Sequence, residues 1–162
     1  MTKLGIISDT HGCVLETQAA IDIFRRQDVS IVIHCGDIGS EDIVRLFRGI
    51  ETHFVMGNTD ADKDRLRRVA TENGNTLHGW TGSLELDGKK ICFMHGHRND
   101  DFENEVESGY WDLICYGHTH FPAFHEKGGT LLVNPGAFQR VTVPRIAVIT
   151  LPEMTLESFA VE

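Results

Sequence analysis

The sequence predicts an α/β domain in which two β-sheets pack together with helices outside, and three observations carry that expectation. Apolar runs alternate with amphipathic segments through the first half of the chain, strand-like runs follow one another directly in the second half, and most runs end in a short loop of Gly, Asp, Asn or His. At 162 residues the chain is expected to form one domain spanning 1–162 with enough interior for a real core. A hydrophobic content of 41% with 24% charged residues excludes disordered, collagen-like and coiled-coil classes.

In order, Lys3 to Ser8 reads as a strand, followed by Asp-Thr-His-Gly and a helix with Leu15, Ala19 and Ile23 on one face. Val29 to Cys35 repeats the strand, ends in Gly36-Asp37, and leads to Ile43, Leu46, Phe47 and Ile50 at helical spacing. Thr52 to Met56 ends in Gly57-Asn58-Thr59-Asp60, and the segment from Ala61 to Glu72 reads as a helix that Asn73-Gly74 stops. Three such units in succession imply right-handed crossovers and a parallel sheet. Ser83 to Leu86 and Lys89 to Met94 flank Asp87-Gly88, a hairpin signal, and the second of them runs into His95-Gly96-His97. The acidic stretch from Asp100 to Glu107 carries no readable pattern, and Asn99 to Ser108 is expected to be a loop. Trp111 to Tyr116 then reads as a strand ending in Gly117-His118-Thr119-His120, and shorter strands follow at Ala123 to Glu126, Thr130 to Val133, Ile146 to Leu151 and Thr155 to Val161.

Charge narrows the function. A net charge of −9 opposes a phosphate backbone, so an extended nucleic acid is not an expected partner. No stretch approaches the roughly 20 apolar residues of a membrane span and no signal-peptide pattern opens the chain, so no membrane is expected and a cytoplasmic location is the default. Cys13, Cys35, Cys92 and Cys115 are widely spaced and are read as reduced thiols. A homo-oligomer is compatible with all of this.

The chemistry-bearing residues fall at the C-terminal ends of the strands: Asp9 and His11, Asp37, Asn58, His95, then His118 and His120. The carboxyl edge of an α/β sheet is where loops converge into sites. Singly, each motif is an ordinary turn; jointly, two carboxylates, four imidazoles and an amide form a metal-ligand set. The other histidines, His34, His53, His78 and His125, are read as structural or surface residues.

On Asp9-Thr10-His11, Gly36-Asp37, Gly57-Asn58-Thr59-Asp60, His95-Gly96-His97 and Gly117-His118-Thr119-His120, the sequence resembles the calcineurin-like metallophosphoesterase superfamily across almost its whole length. Asn134-Pro135-Gly136 marks its small single-domain bacterial and archaeal phosphodiesterase branch. The resemblance implies a four-layer α/β/β/α sandwich, with two mixed sheets flanked by helices, around a dinuclear metal centre. One ion would be held by Asp9, His11, Asp37 and His120, the other by Asp37, Asn58, His95 and His118, with Asp37 bridging. Such a mixed nitrogen and oxygen set suits Mn²⁺, Ni²⁺, Co²⁺, Fe or Zn²⁺ better than Mg²⁺ or Ca²⁺, and Mn²⁺ is the first choice. The implied reaction is hydrolysis of a small phosphodiester by a hydroxide bridging two metals roughly 3.5–4 Å apart, without a covalent intermediate.

One position departs from the pattern. Many members carry His after Gly-Asn, where this chain has Thr59, and a hydroxyl cannot serve as a general acid near neutral pH. His97, two residues beyond His95, is the replacement candidate, so the expected catalytic residues are Asp37, Asn58 and His97. Arg98, Gln139 and Arg140 are candidates for touching a substrate. The alternative is a non-catalytic metal-binding scaffold or interaction module of the same fold, as in the retromer subunit that resembles it.

Overall fold

The computed structural model describes residues 1–162. A six-stranded sheet in the order β11-β10-β1-β2-β3-β4 joins β1 (Thr2–Ile7), β2 (Ile31–His34), β3 (Glu51–Phe54) and β4 (Thr76–Leu77), all parallel, to the C-terminal β10 (Arg145–Leu151), antiparallel to β1, and β11 (Thr155–Ala160), antiparallel to β10. The second sheet, ordered β5-β6-β7-β9-β8, comprises β5 (Thr81–Leu86), β6 (Lys89–Met94), β7 (Leu113–Cys115), β8 (Ala123–Lys127) and β9 (Thr130–Asn134). Within it β6, β7 and β9 run parallel, while β5 and β8 are antiparallel edges.

Strand alternation sorts the apolar side chains into three layers of core. Leu4, Ile6, Ile33, Ala147 and Ile149 of the first sheet meet Ile91, Phe93, Leu113, Cys115 and Val133 of the second. On the other face of this sheet, Ile7, Val32, Phe54, Ile146 and Val148 pack against α1 (Val14–Arg26), α2 (Glu41–Leu46) and α3 (Lys63–Glu72). On the outer face of the second sheet, Cys92, Met94, Ile114 and Leu132 meet α4 (Asn99–Glu107). The result is the expected four-layer sandwich, with α4 alone covering one outer face.

Most predicted elements appear within a residue or two of their expected ends. In the β5–β6 hairpin, Asp87 and Gly88 both have positive φ, 48° and 75°, as the mirror-image turn between two twisted strands requires. Three readings are corrected. Residues 99–107 form α4 rather than a loop, because Phe102 and Val106, four apart in an acidic segment, give just enough apolar surface to dock on β6, β7 and β9. Helix α2 stops at Leu46, although Phe47 and Ile50 beyond it remain buried. Helix α3 begins at Lys63 because Asp62 accepts a hydrogen bond from the Arg65 amide (3.1 Å) and caps it. The two-residue β4 carries no signal in the sequence. No helix is long and apolar enough to cross a membrane.

Val106 is the one buried residue of α4. Val106→Ala is expected to cost about 2 kcal/mol or less and to raise amide hydrogen exchange through residues 99–107 while β1 and β2 stay protected; uniform loss of protection would show that α4 and the sheets unfold as one unit.

Candidate metal centre

The loops after β1 and β2 are laced together by main chain. The amides of Asp9, His11 and Gly12 donate to the carbonyls of Gly36, Asp37 and Ile38, each at 3.0 Å. This tight packing bends the backbone into left-handed conformations: Asp9, His11, Asp37, His118 and His120 have φ between 44° and 70°. Five of the nine non-glycine residues with positive φ are therefore predicted ligands, each at a cost of roughly 1 kcal/mol or more. Strain concentrated on these residues marks a place held for chemistry rather than for stability.

The donor atoms explain what that strain achieves. Asp9 is fully buried; its Oδ2 accepts from the Ser8 hydroxyl (2.5 Å) and the His118 amide (3.1 Å), which leaves Oδ1 without a donor. Asp37 Oδ1 accepts from the Thr59 amide (3.0 Å), and its Oδ2 turns toward His95 Nε2 (3.2 Å) and His11 Nε2 (3.5 Å). His120 Nε2 lies 3.2 Å from Asp9 Oδ1 and 3.3 Å from His11 Nε2. Ligand atoms of Asp9, His11, Asp37 and His120 thus all fall within 4.8 Å of one another. Two carboxylates and two ring nitrogens converging in a half-buried space fit a divalent cation, whose charge offsets theirs.

Beside this group, His95 is 1% exposed, and its Nδ1 donates to the Cys35 carbonyl (2.9 Å). Because a carbonyl only accepts, Nδ1 carries the proton and Nε2, which has no hydrogen-bond partner, presents a lone pair to the site, the orientation that metal-ligating imidazoles take. Burial works to lower the His95 pKa, but Asp37 and Asp9 together outweigh it and the net shift is upward. Burial likewise works to raise Asp37, and contacts with His95 and the Thr59 amide hold it well below the usual carboxylate range. His118 packs edge-on to His95, ring centroids 5.1 Å apart, and is exposed. Asn58 is exposed on the turn that begins at Gly57. His97 lies 5.4 Å from the His95 ring and 6.2 Å from that of His118, its Nδ1 buried without a partner. Burial first, then His95 and His118, lower the His97 pKa.

The motif glycines allow loops to touch carboxylates. A Cβ on Gly57 would lie 2.0 Å from Asp37 Oδ1, and one on Gly117 would lie 2.4 Å from Asp9 Oδ2, so neither position admits a side chain without moving a ligand. Asn134 braces the last loop: its Nδ2 donates to the Gly117 carbonyl and Thr119 Oγ1, both at 3.0 Å. Asp60 accepts from the amides of Gly57 (2.8 Å) and Gly39 (3.1 Å), tying the β3 loop to the β2 loop.

Several supporting groups were not legible as such. The Thr59 amide and the Cys35 carbonyl are main-chain atoms, which no residue type announces. His34, read only as structural, is fully buried between Phe47 and Phe54, and its Nδ1 accepts from the Gly36 amide (3.2 Å). Its Nε2 therefore donates to Thr10 Oγ1 (2.9 Å), and the Thr10 hydroxyl donates to the Ile38 carbonyl (3.0 Å). This relay grips the chain on both sides of Asp37. Its one sequence signal was a histidine inside an otherwise apolar strand. His125 is exposed, whereas His53 and His78 bond one another across 2.9 Å. Arg98, Gln139 and Arg140 are exposed, and Arg98 pairs with Asp101 at 3.0 Å.

This fold and this cluster define a metal-dependent phosphoesterase. Residues 2–154 match the calcineurin-like phosphoesterase superfamily domain, and the chain belongs to that family. It is 34% identical over 137 residues to phosphodiesterase MJ0936 of Methanocaldococcus jannaschii, covering 83% of this chain and 82% of that protein. A solved structure of a novel archaeal phosphodiesterase superposes with a TM-score of 0.92 at 30% identity, over 98% of this chain and 99% of that one. Vps29 of Entamoeba histolytica, a D62A variant in its own numbering, shares the fold at a TM-score of 0.70 and 18% identity, over 99% and 100% of the two chains.

The His34 relay has a pH signature. Burial, then His95, pulls the His34 pKa from 6.5 down to about 3. The unfolded chain therefore takes up a proton that the folded one refuses, and the stability present above pH 6.5 is lost progressively on acidification toward pH 3. Urea unfolding of metal-free protein at pH 7 and pH 5 should show a shallower acid loss for His34→Gln than for the parent; equal losses would mean that the ring is not held neutral.

Proposed function

We propose that this chain is a dinuclear phosphodiesterase that hydrolyses a small phosphodiester, with two Mn²⁺ as the first choice of ions. The observation that carries the reading is the set of lone pairs left without donors. Of the four buried side-chain nitrogens and oxygens that lack a hydrogen-bond partner, Asp9 Oδ1, His95 Nε2 and His97 Nδ1 all lie here. Asp9, His11, Asp37 and His120 would hold one ion; Asp37, Asn58, His95 and His118 would hold the second, with Asp37 shared.

Bound divalent ions supply positive charge for the phosphoryl oxygens and lower the pKa of a water near them. The chain's own residues do the rest. Asp9 and Asp37, each with one oxygen fixed by main-chain amides, keep their second oxygens aimed inward. His95, oriented by the Cys35 carbonyl, cannot turn its lone pair away. Asn58 and His118, both exposed, stand at the mouth where the phosphoester arrives. His97 offers a ring N–H to the departing oxygen in place of the histidine that Thr59 replaces. With no strong proton donor at position 59, departure depends on how stable the leaving anion is.

Metal-stripped protein given Mn²⁺, Ni²⁺, Co²⁺, Zn²⁺ or Mg²⁺ separately should recover hydrolysis of an aryl phosphodiester, and more slowly of the matching monoester. Asp37→Ala and His95→Ala should each lower the rate by 100-fold or more. A series of diesters should show rates that fall steeply as leaving-group pKa rises, and more steeply in His97→Ala; a flat series would remove His97 and the missing donor from the account. The scaffold reading is favoured by Thr59 alone, and metal binding without turnover of any diester would establish it.

A further inference from the structure

A large aromatic ring is left in water beside the proposed centre, and nothing in the phosphoryl chemistry explains it. Trp80, immediately before β5, is 43% exposed. Its indole packs on His97, ring centroids 5.4 Å apart and planes at 60°, and His97 in turn packs on His95 at 5.4 Å. Arg98 holds its guanidinium 5.8 Å from the indole centroid. Trp80, His95, His97, Arg98 and Asp101 border one narrow crevice of about 10 Å³. The indole is covered in part by His97 and by the Arg98 guanidinium, whose one ion-pair partner is the half-exposed Asp101.

We propose that Trp80 and Arg98 form a stacking subsite, and that the site selects phosphodiesters in which a flat aromatic group, nucleobase or aryl ring, lies next to the phosphate. The inference rests on the phosphodiesterase reading above. Its physics is independent of the reaction: every aromatic group has a π-face, an indole accepts it without hydrogen-bond matching, and a guanidinium plane can cover the other side. The position fits, because Trp80 reaches the centre through a single intervening ring, so a group stacked on it leaves the attached phosphate near His95 and His118. Arg98 is free to move outward, being exposed and held only by a surface ion pair.

The test is direct binding to the Mn²⁺-loaded full chain by calorimetry, using adenosine 5′-monophosphate, phenyl phosphate and ribose 5-phosphate, for the parent, Trp80→Ala and Trp80→Phe. The parent should bind the nucleotide about 10-fold or more tightly than the sugar phosphate. Trp80→Ala should erase that ratio while leaving ribose 5-phosphate within about 2-fold, and Trp80→Phe should keep most of it. A gain shared by phenyl phosphate supports recognition of any flat group, and a gain confined to the nucleotide supports a nucleobase. Equal binding of nucleotide and sugar phosphate by the parent, or an equal loss for all three ligands in Trp80→Ala, overturns the subsite. Turnover of bis(4-nitrophenyl) phosphate, measured on the same samples, reports separately on the phosphodiesterase reading: turnover without an aromatic preference sinks the subsite alone, and absent turnover with the preference intact sinks the reaction alone.

Discussion

Two carboxylates facing each other across a half-buried space constrain everything around them. Asp9 and Asp37 each give one oxygen to neighbouring amides and leave the other pointing at the histidines. Like charges so placed repel in a medium that screens poorly, and burial adds the loss of water. The fold answers with close imidazoles, amide dipoles and room for a cation, and each of these has a structural cost elsewhere. Left-handed backbone at Asp9, His11, Asp37, His118 and His120 is one such cost, and glycines pressed against carboxylates are another.

The sandwich makes those costs bearable. A parallel strand delivers its loop to the carboxyl edge, and here β1, β2 and β3 of one sheet and β6, β7 and β9 of the other all deliver theirs to the same place. The inter-sheet core from Leu4 to Leu151 fixes the two edges relative to each other, so residues more than a hundred positions apart, such as His11 and His120, meet at 3.3 Å. Cross-links then tighten the join: the Gly117 N–H donates to the His95 carbonyl at 3.0 Å, and Asn134 Nδ2 donates to the Gly117 carbonyl.

How much of this the sequence revealed depends on the kind of signal. The continuous apolar runs of β1, β6 and β10 and the Asp87-Gly88 turn were legible because strands covered on both faces carry unbroken hydrophobic stretches and turn geometry acts locally. The cluster of Asp9, His11, Asp37 and His120 was legible because its members fall in the loops that directly follow β1, β2 and β7. Helix α4 was not, since two apolar residues in nine give a weak period and its docking depends on a sheet face assembled from three distant strands. The clamp of His34 and Thr10 was half legible: a histidine inside an apolar strand signals a purpose, but its partner sits 24 residues away and is fixed only by the fold. Main-chain donors such as the Thr59 amide leave no trace in residue type at all.

Position 59 shows how a changed residue can leave its neighbours employed. In the pattern this chain resembles, the acid after Gly-Asn-His orients that histidine; with Thr59 there, Asp60 has lost that partner. In the structure it accepts instead from the Gly57 and Gly39 amides, and burial outweighs these bonds enough to raise its pKa. The carboxylate has thus become a clasp between the loops that carry Asp37 and Asn58. The Thr59 amide, meanwhile, donates to Asp37 whatever side chain it bears. A threonine in place of that histidine therefore leaves the hold on Asp37 intact, because the contact comes from the main chain and not from the side chain at position 59.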